Sequence, residues 1–449
     1  MRKIFAALLF IALIVSASFA QDVVPGDVIV VLRNTSGVRL NSASSAQSLQ
    51  NLSTVKSFTQ SLNVNATKTY DALSEQSGNI FMVVHSDTKN ENDLLREVRA
   101  NPNVIAASLN RIVHLCADDK IPDDPEYYRL WGMEDINAPE VWNVSTGADD
   151  VYVAVLDSGV DFDHEDLKDN FSHQYSRNFV NATDDDYGDY ESHGTHVAGT
   201  IAAVGNNGLG VAGVNWKAKI ISLRCLNEQG SGTTSSIISA INYLTGLIAA
   251  NPKLNIAALN MSIGFFSSYS PSEATAQNEP YYLALKALSS MNRTVICVAA
   301  GNEDVEVGAP VANMSYSDGD VSMFRGYYCY PAGFRDIDNM IVVGASSISH
   351  ERTFYSNYSN NFVHVAAPGG DYDGMIFSTV PTKTDSETRI FPYDLKGGTS
   401  MATPHVAGTV ALLKAIYPNA TASQLKAAIL GGANKRISHG QQHINVWTS

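Results

Sequence analysis

The chain has 449 residues, 45% hydrophobic and 17% charged, with 30 basic against 45 acidic side chains and a formal net charge of −15. That length and apolar content support a large core spread over two or three domains. The acidity argues against nucleic acid or an anionic membrane surface as a partner.

Met1-Arg2-Lys3 is a basic start, IFAALLFIALIV an apolar stretch, and Ser18-Phe19-Ala20 supplies the small residues of a cleavage site before Gln21. Residues 1–20 are therefore predicted to be a signal peptide, and the protein to be secreted. No other segment is long and apolar enough to span a bilayer, and the sequence ends in HINVWTS, so no membrane anchor is expected. Four cysteines, Cys116, Cys225, Cys297 and Cys329, suit an oxidising compartment without defining a disulfide framework. Cys225 and Cys297 sit in apolar, strand-like runs where buried free thiols are common. Glycosylation sequons occur at Asn34, Asn65, Asn143, Asn181 and Asn292. Asn260 also begins one, but its place in the cleft described below predicts that it stays unmodified.

From Gln21 to about Asn110 the pattern is that of a small α+β unit. DVIVVLR and NIFMVVHS read as strands, and NDLLREVRANPNVI as a helix, a turn and a strand. The Ser/Asn-rich stretch Asn41–Asn65 has weak periodicity and is expected to be mobile. CADDKIPDDPEYY is polar, carries two prolines, and reads as a linker and candidate processing site.

Beyond about Trp131 strands alternate with helices. VYVAVLD, AKIISLRCL, IAALNMSIG, TVICVAAGN and MIVVGAS are strands; HGTHVAGTIAAV, SSIISAINYLTGLIAAN, YYLALKALSSM and TSMATPHVAGTVALLKAIYP are helices. Apolar strands in this alternation predict an α/β fold with a mostly parallel sheet flanked by helices on both faces. Sites in such sheets lie beyond the carboxyl ends of the strands.

Asp157 ends a buried strand in VAVLDSGVD, and alone would be an ordinary turn former. His193 stands at a helix mouth in HGTHVAGT. Its neighbour His196 is three residues on, a spacing that hints at a metal, but no glutamate completes H-E-x-x-H. Ser400 opens the helix of GGTSMATPHVAG. A serine hydroxyl becomes a nucleophile only beside a base, histidine serves as that base, and a buried carboxylate orients the histidine. Asn302, after Gly301 in AAGNED, could donate its amide to a developing oxyanion. A helix starting at Ser400 would leave that residue's N–H free for the same task and would put Pro404 close to the first turn, where proline is tolerated.

AVLDSGVDFDHEDL, HGTHVAGTIA and GTSMATPHVAG, with the turn Ala299–Asn302, resemble the signatures of the subtilisin-like serine peptidases, the subtilases. The resemblance covers about Pro122 to Leu430 and keeps the order Asp, His, Ser of that family. It implies a serine endopeptidase acting through an acyl-enzyme with no catalytic cofactor. Asp157 would orient, His193 act as base then acid, Ser400 attack, and Asn302 with the Ser400 N–H form the oxyanion hole. The substrates would be proteins or peptides. They would bind as a strand between Gly230-Ser231-Gly232 and Ser262-Ile263-Gly264. Ala299-Ala300-Gly301 would help wall a roomy, mainly apolar primary pocket. Three segments, Phe265–Pro280, Glu303–Tyr328 and Gly370–Leu395, look longer than a compact member needs. Asp318-Gly319-Asp320 in the second reads as solvated loop.

The resemblance further implies structural calcium at Asp124, Asp166 and Asn207, whose oxygens suit that ion. It implies that residues 21–120 are a propeptide, an intramolecular inhibitor and folding aid removed by self-cleavage between about Asn110 and Pro122, with 121–449 the catalytic domain. Asp157 is followed by Ser158 rather than an acidic doublet, which disfavours a strict dibasic convertase. An esterase would need a G-x-S-x-G elbow, whereas the context here is Gly398-Thr399-Ser400-Met401-Ala402. A catalytically dead scaffold would show a lost triad residue, and none is lost.

Overall fold

A computed structural model describes residues 23–35, 49–111, 120–181, 185–312, 324–383, 389–433 and 442–443. The expected signal peptide, residues 116–119 of the linker with Cys116, and Asp318–Asp320 lie outside the described residues. The chain divides into two compact units, Met1–Ala117 and Asp118–Ser449.

The first unit contains β1 (Val23–Leu32), α1 (Ser53–Leu62), β2 (Asn65–Thr69), α2 (Asp71–Ser77), β3 (Ile80–His85), α3 (Glu91–Ala100) and β4 (Val104–Arg111). Its sheet runs β2-β3-β1-β4 with antiparallel neighbours. Val28, Val30, Leu32, Ile80, Met82 and Val84 alternate onto one face and are buried with Val55 and Phe58 of α1 and Leu94 and Val98 of α3. The intervening residues Ile29, Val31, Phe81 and Val83 are apolar too, paired Ile29 to Val83 and Val31 to Phe81. Helix α1 lies within the stretch expected to be mobile. Val55 and Phe58, three apart, fold one face of an otherwise polar segment onto the core, and Asn63 closes it in the left-handed region at φ 53°.

Among the described residues, the second unit is built on eight parallel strands. These are β5 (Val151–Asp157), β6 (Arg177–Asn178), β7 (Lys219–Arg224), β8 (Asn255–Met261), β10 (Val295–Ala299), β12 (Met340–Ser346), β13 (Val365–Pro368) and β16 (Gln442–His443). The order is β16-β13-β12-β10-β8-β5-β7-β6. Two antiparallel ribbons accompany it: β9 (Phe265–Ser267) with β11 (Tyr328–Tyr330), and β14 (Ile376–Thr379) with β15 (Tyr393–Lys396). Two of the expected long loops thus carry a ribbon strand or a hairpin.

Both sheet faces are buried. Val153, Val155, Cys297, Ile341 and Val343 point to one core, and Ala154, Leu156, Ile296, Val298 and Val342 to the other. That is why the strands read as unbroken apolar runs. Helices α4 (His193–Ala202) and α7 (Thr399–Ile416) pack on the first face through Val197, Ile201, Val406 and Val410. Each such buried side chain contributes about 1.5–3 kcal/mol. Helix α5 (Thr234–Ala250) and α6 (Pro280–Ser290) cover the second through Ile237, Ile241, Leu244 and Leu285. Helix α8 (Ala422–Gly432) follows α7. From β5 the chain builds outward to β6 and β7, then crosses back to β8 and builds the other way. The carboxyl end of β5 is therefore the topological switch point, where the diverging connections open a crevice. Asp157 sits there.

Candidate active site

Asp157 is fully buried, and its Oδ1 accepts the Ser158 N–H at 2.8 Å and meets His193 Nδ1 at 2.8 Å. A carboxylate only accepts, so Nδ1 carries the ring proton and Nε2 is left as the basic nitrogen. Burial pulls the His193 pKa down, but the Asp157 charge and hydrogen bond, helped by the nearby Glu191, outweigh it; the net shift is upward. Lys396 opposes that shift.

The loop leading into α4 is held by Asp189. This buried carboxylate accepts the Ser158 hydroxyl at 2.9 Å, the Glu191 N–H at 3.0 Å and the Ser192 N–H at 2.9 Å. It also accepts the Thr195 N–H at 2.9 Å and hydroxyl at 2.6 Å. These bonds hold Ser192 at φ 104°, an uncommon conformation for a residue with a side chain. Burial raises the Asp189 pKa while the donors oppose it. Gly194 permits a close crossing: a Cβ there would lie 2.1 Å from the Gly159 carbonyl oxygen. Lys396 Nζ donates to Ser192 Oγ at 2.9 Å, and Glu191 Oε2 accepts the His193 N–H at 2.6 Å.

Helix α7 begins at Thr399, not Ser400, and Pro404 lies inside it rather than in its first turn. Proline frees the carbonyl four residues back. That is the Ser400 carbonyl, and it accepts the Ser262 hydroxyl at 2.9 Å. A partner from β8's end thus satisfies the group that proline orphans. Ser400 Oγ donates to the Ser262 carbonyl at 3.2 Å; among the described residues no hydrogen bond joins it to His193. The Ser400 N–H, at the second position of the helix, has no acceptor among them.

Asn302 is exposed at the end of the turn after β10. Its side-chain oxygen accepts the Thr399 N–H at 2.8 Å and the Thr399 hydroxyl at 2.9 Å. Because an N–H can only donate, the atom facing Thr399 must be Oδ1, which turns Nδ2 outward. The turn needs Gly301 at φ 103°, and a Cβ there would lie 2.2 Å from Asn357 Nδ2.

Gly230, Ser231, Gly232, Ser262, Ile263 and Gly264 line one cavity of about 470 Å³ together with His193. Ala299, Ala300 and Gly301 do not line it. Ala299 and Ala300 are buried, the Ala300 carbonyl accepts Asn357 Nδ2 at 3.0 Å, and the Gly301 N–H donates to Thr399 Oγ1 at 3.1 Å. His196 points away from the crevice. Its Nε2 lies 3.1 Å from the Ile376 carbonyl and 3.2 Å from that of Asp394, tying α4 to the β14–β15 hairpin. Burial, with Lys396 and His193 nearby, pushes its pKa down to about 3. Cys225, Cys297 and Cys329 are buried free thiols. Asn260 is buried, its amide nitrogen donating to Ser262 Oγ at 3.0 Å.

Asp124, Asp166 and Asn207 converge on one loop. Asp124 accepts the N–H groups of Asn206 and Asn207, and Asp166 accepts the Val211 N–H and the Asn207 side-chain amide at 2.8 Å. Burial, with Asp124 and Glu165 adding negative charge, pushes the Asp166 carboxyl up to about 7. Two buried carboxylates facing each other fit a hard cation. Asn207 fits less well, since its oxygen accepts the Leu209 N–H and its nitrogen faces Asp166. Among the described residues no group of three His, Cys, Asp or Glu side chains is arranged to hold a metal.

Sequence reasoning missed Asp189, Glu191 and Lys396, and gave Thr399 no part in the site. The one available signal was a carboxylate four residues before the motif histidine in DYESHGTH. The subtilase family profile matches residues 148–447. An intracellular serine protease of Paenibacillus polymyxa is 38% identical over 313 residues, 68% of this chain and 79% of its own. Subtilisin amylosacchariticus of Bacillus subtilis subsp. amylosacchariticus is 32% identical over 393 residues, 85% of this chain and 86% of its own. Among solved structures, a protease from Pseudoalteromonas arctica PAMC 21717 superposes with a TM-score of 0.59 at 29% identity, covering 73% of this chain and 98% of that one.

Proposed function

Because the chain belongs to the subtilase family, and is thus a serine-type endopeptidase, we propose that Asp157, His193, Ser400 and Asn302 carry its chemistry. The observation behind this reading is the Asp157–His193 bond at 2.8 Å beside a serine bonded to Ser262, which lines the same cavity as His193. Rotation about the Ser400 Cα–Cβ bond turns its Oγ from the Ser262 carbonyl to His193 Nε2. Apo hydrogen bonds of this kind often form only with substrate in place. Nε2 then takes the hydroxyl proton as Oγ attacks the scissile carbonyl carbon. The carbonyl oxygen becomes an oxyanion between Asn302 Nδ2 and the Ser400 N–H, with the N-terminus of α7 adding its positive end. His193 returns the proton to the leaving amine, and the acyl-enzyme is hydrolysed by water activated in the same way.

The peptide runs as a strand between Gly230–Gly232 and Ser262–Gly264. The leader at 1–20 directs secretion, and the first unit is the propeptide of a self-processing zymogen. In support, the similarity to subtilisin amylosacchariticus spans 85% of the chain, more than the second unit contains. Calcium is held by Asp124 and Asp166 and would brace the Asn206–Val211 loop, with no part in the chemistry.

Ser400→Ala is the test. It abolishes peptide hydrolysis, fluorophosphonate labelling and removal of the first unit. A Ser400→Ala protein that still cleaves peptides ends this assignment.

A further inference from the structure

We propose that Glu191 makes one end of the cleft selective for a cationic substrate side chain, Lys or Arg, in peptides cleaved at the site proposed above. Away from His193 the cavity of about 470 Å³ is lined by uncharged side chains, among them Leu226, Ile237, Phe265, Tyr281, Thr233 and Thr234. At its His193 end stands Glu191, among the described residues the only lining residue besides the titratable His193 that bears a charge.

That carboxylate is preorganised. The Glu191 N–H is bonded to Asp189, and Oε2 accepts the His193 N–H at 2.6 Å. Oε1 accepts no hydrogen bond among the described residues, and the side chain lies next to Gly230, where a Cβ would come to 3.8 Å from Glu191 Cγ and 4.0 Å from Oε1. Glu191 is partly exposed and forms no ion pair among the described residues. The neighbouring cation Lys396 is committed to Ser192 Oγ. The cleft therefore offers a held negative charge with one oxygen that accepts no hydrogen bond among the described residues, on the wall of a cavity of about 470 Å³. A substrate ammonium or guanidinium reaching it forms a charge-assisted bond to a carboxylate that needs no reorientation. A neutral side chain gains nothing comparable, so the discrimination appears in kcat/KM.

The test is a positional peptide library cleaved by the mature enzyme, followed by matched peptides carrying Lys, Gln or Glu at the selected position. We expect a preference for Lys over Gln of about tenfold at one position, weakening with added salt. Glu191→Gln reduces the ratio to about one, and Glu191→Lys turns it in favour of Glu. Comparing ratios at one pH removes the effect of Glu191 on His193 ionisation, which is common to all the peptides. A library without a basic preference, or a preference unchanged in Glu191→Gln, overturns the proposal. Ser400→Ala run alongside keeps the two readings apart: activity surviving there sinks the nucleophile assignment, not the cation subsite.

Discussion

Ser262 and Ser400 exchange two hydrogen bonds: the Ser262 hydroxyl donates to the Ser400 carbonyl at 2.9 Å, and the Ser400 hydroxyl to the Ser262 carbonyl at 3.2 Å. The first bond exists because Pro404 cannot supply its N–H to that carbonyl. The second parks the hydroxyl on the wall of the substrate cavity. Removing the donor should destabilise the fold by about 1 kcal/mol. Ser262→Ala should lower the midpoint of denaturant unfolding accordingly and slow fluorophosphonate labelling of Ser400. Unchanged unfolding and labelling would show that the exchange contributes nothing.

In the proposed oxyanion hole, Asn302 Nδ2 is aimed by the two bonds that hold its oxygen to Thr399. Asn302→Ala should lower kcat by roughly 10²–10³-fold, a magnitude taken over from subtilisin itself. Thr399→Val removes one of two tethers and should lower kcat by less, leaving KM little changed. Steady-state kinetics on one peptide checks both.

The acid limb of activity follows from His193. Its pKa is raised above the ordinary 6.5, and only the neutral ring can act as base. Activity should therefore fall off below a midpoint higher than 6.5. Glu191→Gln removes a charge that raises this pKa and should move the limb to lower pH. Lys396→Met removes one that lowers it and should move the limb to higher pH. Profiles of kcat/KM against pH measure both shifts, and shifts of the opposite sign would contradict the assignment.

Asp189 accepts five hydrogen bonds in a buried site. Asp189→Ala leaves those donors without a partner and should destabilise the second unit by at least about 3 kcal/mol. Activity should fall with it, because the same loop sets the entry of α4 and hence His193. Calorimetry and peptide hydrolysis test the two effects separately.

Calcium at Asp124 and Asp166 should raise thermal stability in proportion to the logarithm of its concentration above the dissociation constant. Chelation should lower the melting temperature of the wild type but not of Asp166→Asn. An equal response in both would remove Asp166 as a ligand.

The sheet and its order of helices were legible because burial on both faces turns strands such as VYVAVLD into apolar runs. The candidate residues were legible because Asp157 ends β5, His193 opens α4, Ser400 lies in the first turn of α7 and Asn302 follows the turn after β10, positions that glycine marks locally. The start of α7 was misplaced by one residue, since Pro404 was judged by its own helix position. The Ser262 hydroxyl that makes an internal proline tolerable comes from another strand. Helix α1 was hidden by a polar sequence with few apolar contacts.

The order and type of the main strands and helices of the second unit, and the candidate reacting groups, are written in the sequence, because backbone preference and apolar periodicity act over a few neighbours. Which hydroxyl satisfies the Ser400 carbonyl, which way Asn302 turns, and that Asp189 reaches the Ser158 hydroxyl were decided only by the fold. Hydrogen-bond partners tens to hundreds of residues apart are chosen by where packing places them, and no local pattern encodes that choice.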